Sequence, residues 1–290
     1  MHSSSVSLSH HQVFTDDDVP LALNAASRKG AHKVILISSA TGVRKEFYKD
    51  FSLHLANQGY VVITFDYRGI GDSVSDVYNP HSIKMSHWAI HDIKAVLDWV
   101  NENYQLPIYF IGHSIGSELL SLVENNHLIK RALFVGTTHG YWGYLPLRAK
   151  LKVLYFSYFI APILGYFFKY TPISKKGFGA NLPAGVTREF GRWLRQKNFY
   201  FDSLGKHYPD HRQSYQAKTK ILISDDDEYI KLSGTLKFIE QASVTNAEVH
   251  VIESSRYGKV GHFGMFRKRH KESIWPMMID QLNASCIELS

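Results

Sequence analysis

The sequence predicts an α/β domain, a mostly parallel and doubly wound sheet carrying an inserted helical, aromatic-rich cap, and three observations predict it. Short apolar runs that read as buried parallel strands alternate with amphipathic stretches, the pattern of a sheet covered by helices on both faces. The rhythm breaks after Gly140, and about eighty residues pass before the next clear strand, far beyond an ordinary connection. Between one strand and one helix lies the turn Gly112-His113-Ser114-Ile115-Gly116.

Along the chain, Val34 to Ile37 is the first apolar run, followed by the loop SSATGV and a helical stretch, EFYKDFSLHLANQ, whose Phe47, Phe51, Leu53 and Leu55 roughly hold one face. Tyr60 to Asp66 is the next strand. A glycine-rich turn and a long loop through Asn79-Pro80 lead into the helix SHWAIHDIKAVLDWVNENY, with Trp88, Ile90, Ile93, Val96, Leu97 and Val100 on its inner side. Ile108 to Ile111, the helix SELLSLVE and Ala132 to Val135 complete this half. The sheet resumes with Ile221 to Ile223 and Ala247 to Ile252, and KESIWPMMIDQL closes it as a helix. The organisation expected is a flexible tail over 1–12, a core over 13–139 and 213–290, and a cap over 140–212. Inside the cap, Val153 to Phe168 carries no charge, but it is shorter than the roughly 20 residues a bilayer span needs and is interrupted by Pro162 and Gly165, so it reads as a buried or interfacial helix pair.

Composition narrows the function. Of 290 residues, 44% are hydrophobic and 20% charged, which excludes disordered and collagen-like classes. The single cysteine, Cys286, excludes a disulfide scaffold and a cysteine-rich zinc site. A net charge of +7, read as spread along the chain, leaves no nucleic-acid footprint. The start, MHSSSVSLSHHQ, lacks the basic and apolar run of a signal peptide, so a cytoplasmic chain is expected. Gly69-Ile70-Gly71 lacks the third glycine of a dinucleotide fingerprint, and neither a Walker loop nor an H-E-x-x-H pair occurs, so no cofactor and no metal are expected.

The glycine-flanked Ser114 carries the chemistry. At a strand-to-helix turn the backbone is strained, the hydroxyl is pushed into the open, and the Ile115 N–H points toward an incoming carbonyl oxygen. A serine needs a base, and the base a carboxylate. Strand Ile221–Ile223 ends in Ser224-Asp225-Asp226-Asp227-Glu228, and Asp227 is the acid expected to reach, with Asp225 and Asp226 expected to matter little. The base expected is His262, bracketed by Gly261 and Gly264 after the last strand, in preference to His250 or His270. The order Ser114, Asp227, His262 differs from the chymotrypsin and subtilisin orders.

The chain resembles an α/β-hydrolase from about Phe14 to its end. Phe65-Asp66-Tyr67-Arg68-Gly69-Ile70-Gly71-Asp72-Ser73 matches the D-x-R-G-x-G-x-S turn of that fold, and Ser39-Ala40-Thr41-Gly42 stands where relatives carry His-Gly-x-Gly. The resemblance implies that Thr41, or Ala40 if the register slips by one, supplies the second oxyanion N–H. ATGVRKEFY, DYRGIGDS, GHSIG, YWGYLPLR, SDDDEY and VGHFGMFR are together similar to a group of bacterial hydrolases related to the serine aminopeptidase and monoacylglycerol lipase branch. The expected activity is that of a serine esterase acting on a small-molecule or lipid-like acyl ester, with Ala40, Gly42, His113, Tyr141, Trp142 and Phe263 around the substrate. The alternatives are an aminopeptidase-like peptide hydrolase and a non-catalytic binding protein. A weak peripheral membrane contact through the cap, helped by Arg148, Lys150 and Lys152, is a further expectation, and the oligomeric state is left open.

Overall fold

The computed structural model describes residues 5–173 and 179–284. Its main sheet contains β1 (Ser7–Phe14), β2 (Pro20–Ser27), β3 (Lys33–Ser38), β4 (Tyr60–Phe65), β5 (Ile108–His113), β6 (Ile129–Val135), β9 (Lys218–Ser224) and β10 (Ala247–Ile252). A two-residue pair, β7 (Tyr170–Thr171) and β8 (Leu182–Pro183), lies in the segment between β6 and β9. The strand order is β1-β2-β4-β3-β5-β6-β9-β10, parallel from β4 to β10 and antiparallel where β1 and β2 join, so the predicted mostly parallel α/β sheet is present.

Central strands need two apolar faces, and the run at β3 supplies them. Val34 and Leu36 join the core containing Phe110, Trp88 and Trp193, while Ile35 and Ile37 join Phe51, Leu55 and Trp275 on the other side. The helices Lys49–Asn57 and Lys94–Tyr104 stand where periodicity placed them, the second preceded by a π-turn at Trp88–Ile93. SELLSLVE is shorter than expected, an α-turn at Ile115–Glu118 running into a 3-10 turn at Leu119–Leu122. A helix at Leu232–Ala242 escaped the sequence reading because its first turn, Leu-Ser-Gly-Thr, looks like a loop; Gly234 is there because a Cβ would lie 2.3 Å from Thr138 Oγ1.

Two expectations are corrected. Residues 7–12 are not a flexible tail: they pair along their full length with β2, and the serine and histidine side chains that made them look solvated bond across the edge, Ser7 Oγ to the Ser27 carbonyl at 3.2 Å and His10 Nδ1 with Asn24 Oδ1 at 2.7 Å. An edge strand with one face in water has little apolar alternation to betray it. Val153 to Phe168 is not a helix pair. Leu147–Tyr155, the π-turn Phe156–Ile160 and Ala161–Phe167 follow one another without a break, and the wide π-turn accommodates Pro162, which has no N–H to give.

The D-x-R-G-x-G-x-S turn is a buried ionic hub. Asp66 accepts the Lys45 N–H at 2.8 Å, Lys45 Nζ at 3.0 Å and the Asp72 N–H at 3.0 Å. Gly71, at φ 51°, allows this approach, since a Cβ there would sit 2.3 Å from Asp66 Oδ2. Arg68 donates its Nε to Asp92 Oδ1 at 2.6 Å and its outer nitrogens to Asp17 at 2.6 and 2.8 Å, tying the β1–β2 turn to the helical layer. Asp92 has no solvent exposure, so Arg68→Met strands a buried carboxylate and is expected to lower unfolding free energy by about 3–5 kcal/mol in urea titration, whereas Asp17→Asn, at the exposed end, should cost about 1 kcal/mol or less. Equal losses from the two variants would contradict the hub.

Candidate active site

At the carboxyl edge of the parallel strands the hydrogen-bond ladder continues beyond the strands themselves. Ser114 N–H donates to the Val135 carbonyl at 2.9 Å, Gly136 N–H to the Leu222 carbonyl at 2.8 Å, and Asp225 N–H to the Ile252 carbonyl at 3.1 Å. These three bonds line up the turns after β5, β6 and β9 in one row.

Ser114 sits between β5 and the turn Ile115–Glu118 with φ 53° and ψ −123°, a conformation costly for any residue with a side chain. Its flanking glycines are demanded by packing: a Cβ on Gly112 would lie 2.6 Å from Ser117 Cα, and one on Gly116 2.3 Å from the Ser38 carbonyl oxygen. Ile115 N–H opens the helical turn and therefore has no acceptor within it.

Asp227 and His262 meet. The Asp227 carboxylate, with no side-chain exposure, accepts His262 Nδ1 at 2.8 Å through one oxygen and the Tyr229 N–H at 2.8 Å through the other. An ionised carboxylate only accepts, so Nδ1 carries the proton and Nε2 is left as the acceptor. Gly136, at φ 61°, makes room for this pair, because a Cβ would lie 3.1 Å from His262 Nδ1 and 3.6 Å from Asp227 Oδ2. Ser114 is thus on the turn hydrogen-bonded to the residue preceding Gly136, while Asp227 and His262 are in direct contact. Tyr229 and Phe263 flank the imidazole, with ring centroids at 5.3 and 5.0 Å.

Asp226 does more than the sequence reading allowed. Its two oxygens accept the Gly261 N–H at 2.7 Å and the Val260 N–H at 2.9 Å, so it holds the backbone that presents His262. Burial raises its pKa, but the hydrogen bonds from Ser224, Gly261 and Val260 outweigh burial and bring it below the ordinary value. Asp225, at the surface, accepts the Ser254 N–H at 2.9 Å and does not reach the histidine loop.

Behind the row runs a buried chain of hydrogen bonds. Ala40 N–H donates to the Tyr48 hydroxyl at 3.1 Å; that hydroxyl stands 2.8 Å from His113 Nδ1, and His113 Nε2 stands 2.9 Å from the His262 carbonyl. A carbonyl only accepts, so Nε2 carries the His113 proton, Nδ1 accepts, and the tyrosine donates. Burial, with a smaller contribution from His262, holds the His113 pKa well below the usual histidine range, which keeps the ring in this neutral form. His113 is therefore a fully buried support and lines no pocket, contrary to expectation. Tyr48 was missed, although it lies in the ATGVRKEFY segment.

Around the row, Ala40 is buried with its N–H engaged by Tyr48, and Thr41 beside it is half-buried. The Gly42 carbonyl accepts the Ala180 N–H at 2.7 Å, and a Cβ on Gly42 would meet Ile173 at 2.7 Å, so the segment between β6 and β9 folds back over this loop. Tyr141 and Trp142 are half-buried and pack on each other at 5.1 Å. Four residues beyond Ser114, Glu118 is fully enclosed; burial pushes its pKa up to about 8, only partly opposed by the Thr138 N–H.

A sequence profile described as serine aminopeptidase, S33, matches residues 29–177, a span that includes Ser114 and ends before Asp227 and His262. Over 95 residues the chain is 38% identical to the lysophosphatidylserine lipase ABHD12 of Gallus gallus, a match covering 32% of this chain and 19% of that protein. The chain therefore spans about a fifth of that relative's length. The esterase Pf2001 of Pyrococcus furiosus superposes with a TM-score of 0.60 at 18% identity, covering 96% of this chain and 90% of its own. A soluble variant of monoglyceride lipase from Saccharomyces cerevisiae, in complex with a substrate analog, gives 0.62 at 14% identity, covering 98% and 97%. At these identities the two structures share the fold.

Glu118 gives a pH test of the enclosed surroundings. Its folded pKa of about 8 stands above the unfolded value of 4.5, so the folded state binds the proton more tightly, and the stability this provides is full below 4.5 and lost as pH rises through about 8. Glu118→Gln keeps a neutral group of the same shape. Relative to the native chain its stability in urea is expected to increase steadily between about pH 5 and pH 8. A difference that stays flat or falls across that window would mean that Glu118 is ionised in the folded protein.

Proposed function

Because the chain belongs to the serine aminopeptidase, S33 family of α/β-hydrolases, we propose that it cleaves a carboxylic ester through an acyl-enzyme, with Ser114 as nucleophile, His262 as base and Asp227 as the orienting acid. The observation that carries this reading is the 2.8 Å hydrogen bond between Asp227 and His262 Nδ1 on the turns aligned with the strained Ser114. His262 Nε2 takes the Ser114 proton as Oγ attacks the ester carbonyl carbon, and the Ile115 and Thr41 N–H groups receive the negative charge that develops on its oxygen. The imidazolium returns the proton to the departing alcohol. Water, deprotonated by the same imidazole, then attacks the acyl carbon, and Ser114 leaves with the proton as the acid is released.

Residues 140–212 act in this reading as a cap, whose Tyr141 and Trp142, together with Phe263 of the histidine loop, offer an apolar wall to the acyl group. The similar proteins, a lysophosphatidylserine lipase, an esterase and a monoglyceride lipase, favour an ester of lipid type for this chain. Peptide hydrolysis from a free amino terminus calls for acidic groups around the substrate, whereas the cap is strongly basic, with twelve Lys and Arg against three Asp and Glu.

Labelling with a fluorophosphonate probe tests the nucleophile: Ser114→Ala is expected to lose all labelling and all turnover of a 4-nitrophenyl ester while melting cooperatively, and retained labelling would remove Ser114 from this role. In the acidic turn, Asp227→Asn should lower turnover by about four orders of magnitude through loss of tautomer control. Asp226→Asn, which weakens the hold on Val260 and Gly261, should cost about tenfold, and Asp225→Asn should have little effect.

The buried chain behind the site makes a separate prediction. Tyr48→Phe leaves the Ala40 N–H and His113 Nδ1 without their partner, so kcat is expected to fall by about tenfold with KM nearly unchanged. An unchanged kcat, or a loss confined to KM, would show that Tyr48 does not position the oxyanion loop.

A further inference from the structure

The continuous helical rod Leu147–Phe167 is built the reverse way to an ordinary surface helix. Its small residues face inward: Ala149, Ser157, Ala161 and Gly165 are buried, and the rod approaches the helix Ala184–Arg195 so closely that a Cβ on Gly191 would lie 2.5 Å from Ala161 Cβ. Its large apolar residues face outward. Leu147, Leu151, Tyr155, Phe159, Ile163 and Phe167 recur at every fourth position and are between 51% and 80% exposed. Single exposed apolar residues need no explanation, but a contiguous row along a whole helix marks a contact surface.

The charge is equally one-sided. Residues 140–212 hold twelve Lys and Arg against three Asp and Glu, while the rest of the chain holds 21 against 23, so the net charge of +7 arises entirely in the cap. The expectation that charge is spread along the chain is corrected by this count. Arg148, Lys150 and Lys152 lie at the start of the rod and Lys169 just past its end, and Arg188 and Arg195 stack on its Tyr166 and Tyr158 at 5.1 and 5.2 Å. Beside it opens a groove of about 1130 Å³ whose lining includes Lys84, Arg188, Arg192 and Arg195, with Glu189 as the acid among them.

We propose that the outer face of the rod Leu147–Phe167 is a docking surface for an anionic lipid bilayer, its aromatic row entering the interface and its cations meeting the phosphate layer. A one-sided apolar row framed by cations suits a helix lying in the plane of a membrane. Among the described residues, no helix is long and apolar enough to cross one. A second copy of this chain is the poorer occupant, since a symmetric contact would press two such basic faces together. Lys152 Nζ bonds to Glu228 at 3.1 Å, so the docked element is tied to the turn that carries Asp227. The inference stands independently of the catalytic roles assigned above.

Flotation with phosphatidylcholine vesicles, with and without phosphatidylglycerol, tests it. The native chain and Ser114→Ala are both expected to float with the phosphatidylglycerol vesicles and to be released when salt is raised from about 0.1 M to about 1 M, where the screening length falls from about 10 Å to about 3 Å. Phe159→Ser with Phe167→Ser, and Arg148→Glu with Lys169→Glu, should each weaken binding by about tenfold or more while melting like the native chain. Three results would overturn the proposal: no flotation with anionic vesicles, equal flotation with phosphatidylcholine alone at any salt, or a dimer in size-exclusion chromatography that the two phenylalanine substitutions convert to a monomer.

Discussion

β5 hands over to a helical turn through a single residue, Ser114, and does so at positive φ, a region that non-glycine residues rarely adopt. The strained residue is held from both sides. β5 lies in the middle of the sheet with all six residues buried, and the turn after Ser114 is pressed against the β3 end so tightly that position 116 admits only hydrogen. Strain of this kind costs of order 1–3 kcal/mol and persists only where the surroundings over-determine it. Everything else at this edge is referenced to that backbone: the Val135 carbonyl accepts its N–H, Gly136 follows, and the Asp227–His262 pair rests over Gly136.

The buried polar groups behind the edge explain how separate loops hold a common geometry. Ala40 with Tyr48, His113, and the His262 backbone belong to three different chain segments, and one run of hydrogen bonds with a single consistent proton arrangement joins them. It connects the loop after β3 to the loop after β10 through the residue preceding Ser114. The imidazole of His113 can serve there because enclosure keeps it neutral, and a charged ring would have to give up either the Tyr48 donor or its own burial.

Much of the fold was legible in the sequence because buried parallel strands advertise themselves: Val34–Ile37 and Ile221–Ile223 have no polar face to disguise them. β1 was not legible for the opposite reason, since an edge strand written Ser-Leu-Ser-His-His-Gln hides its pairing among polar side chains that bond across the sheet. At the candidate site, the residues that stand at strand ends between glycines were legible from local pattern, and Asp227 and His262 are indeed found touching. Tyr48, Tyr229 and the anchoring role of Asp226 depend on contacts between segments far apart in the chain, and no local pattern encodes those. The outward row of the rod was half legible: its lack of charge was plain, but which side faced water was decided by the small residues that let it lie flat on Ala184–Arg195.

The molecule thus divides its labour in space. Outside residues 140–212 the chain is nearly neutral and its sheet edge holds the strained Ser114 and the buried Asp227–His262 pair, while the segment between β6 and β9 carries the positive charge and most of the exposed large apolar side chains. The central claim, that Ser114 forms the acyl-enzyme, is tested most directly by intact and peptide mass spectrometry of the native chain acid-quenched during turnover of a 4-nitrophenyl ester. The account predicts a single acyl adduct confined to the peptide containing Ser114. Turnover accompanied by an adduct on another residue, or by an adduct that persists in Ser114→Ala, would contradict it.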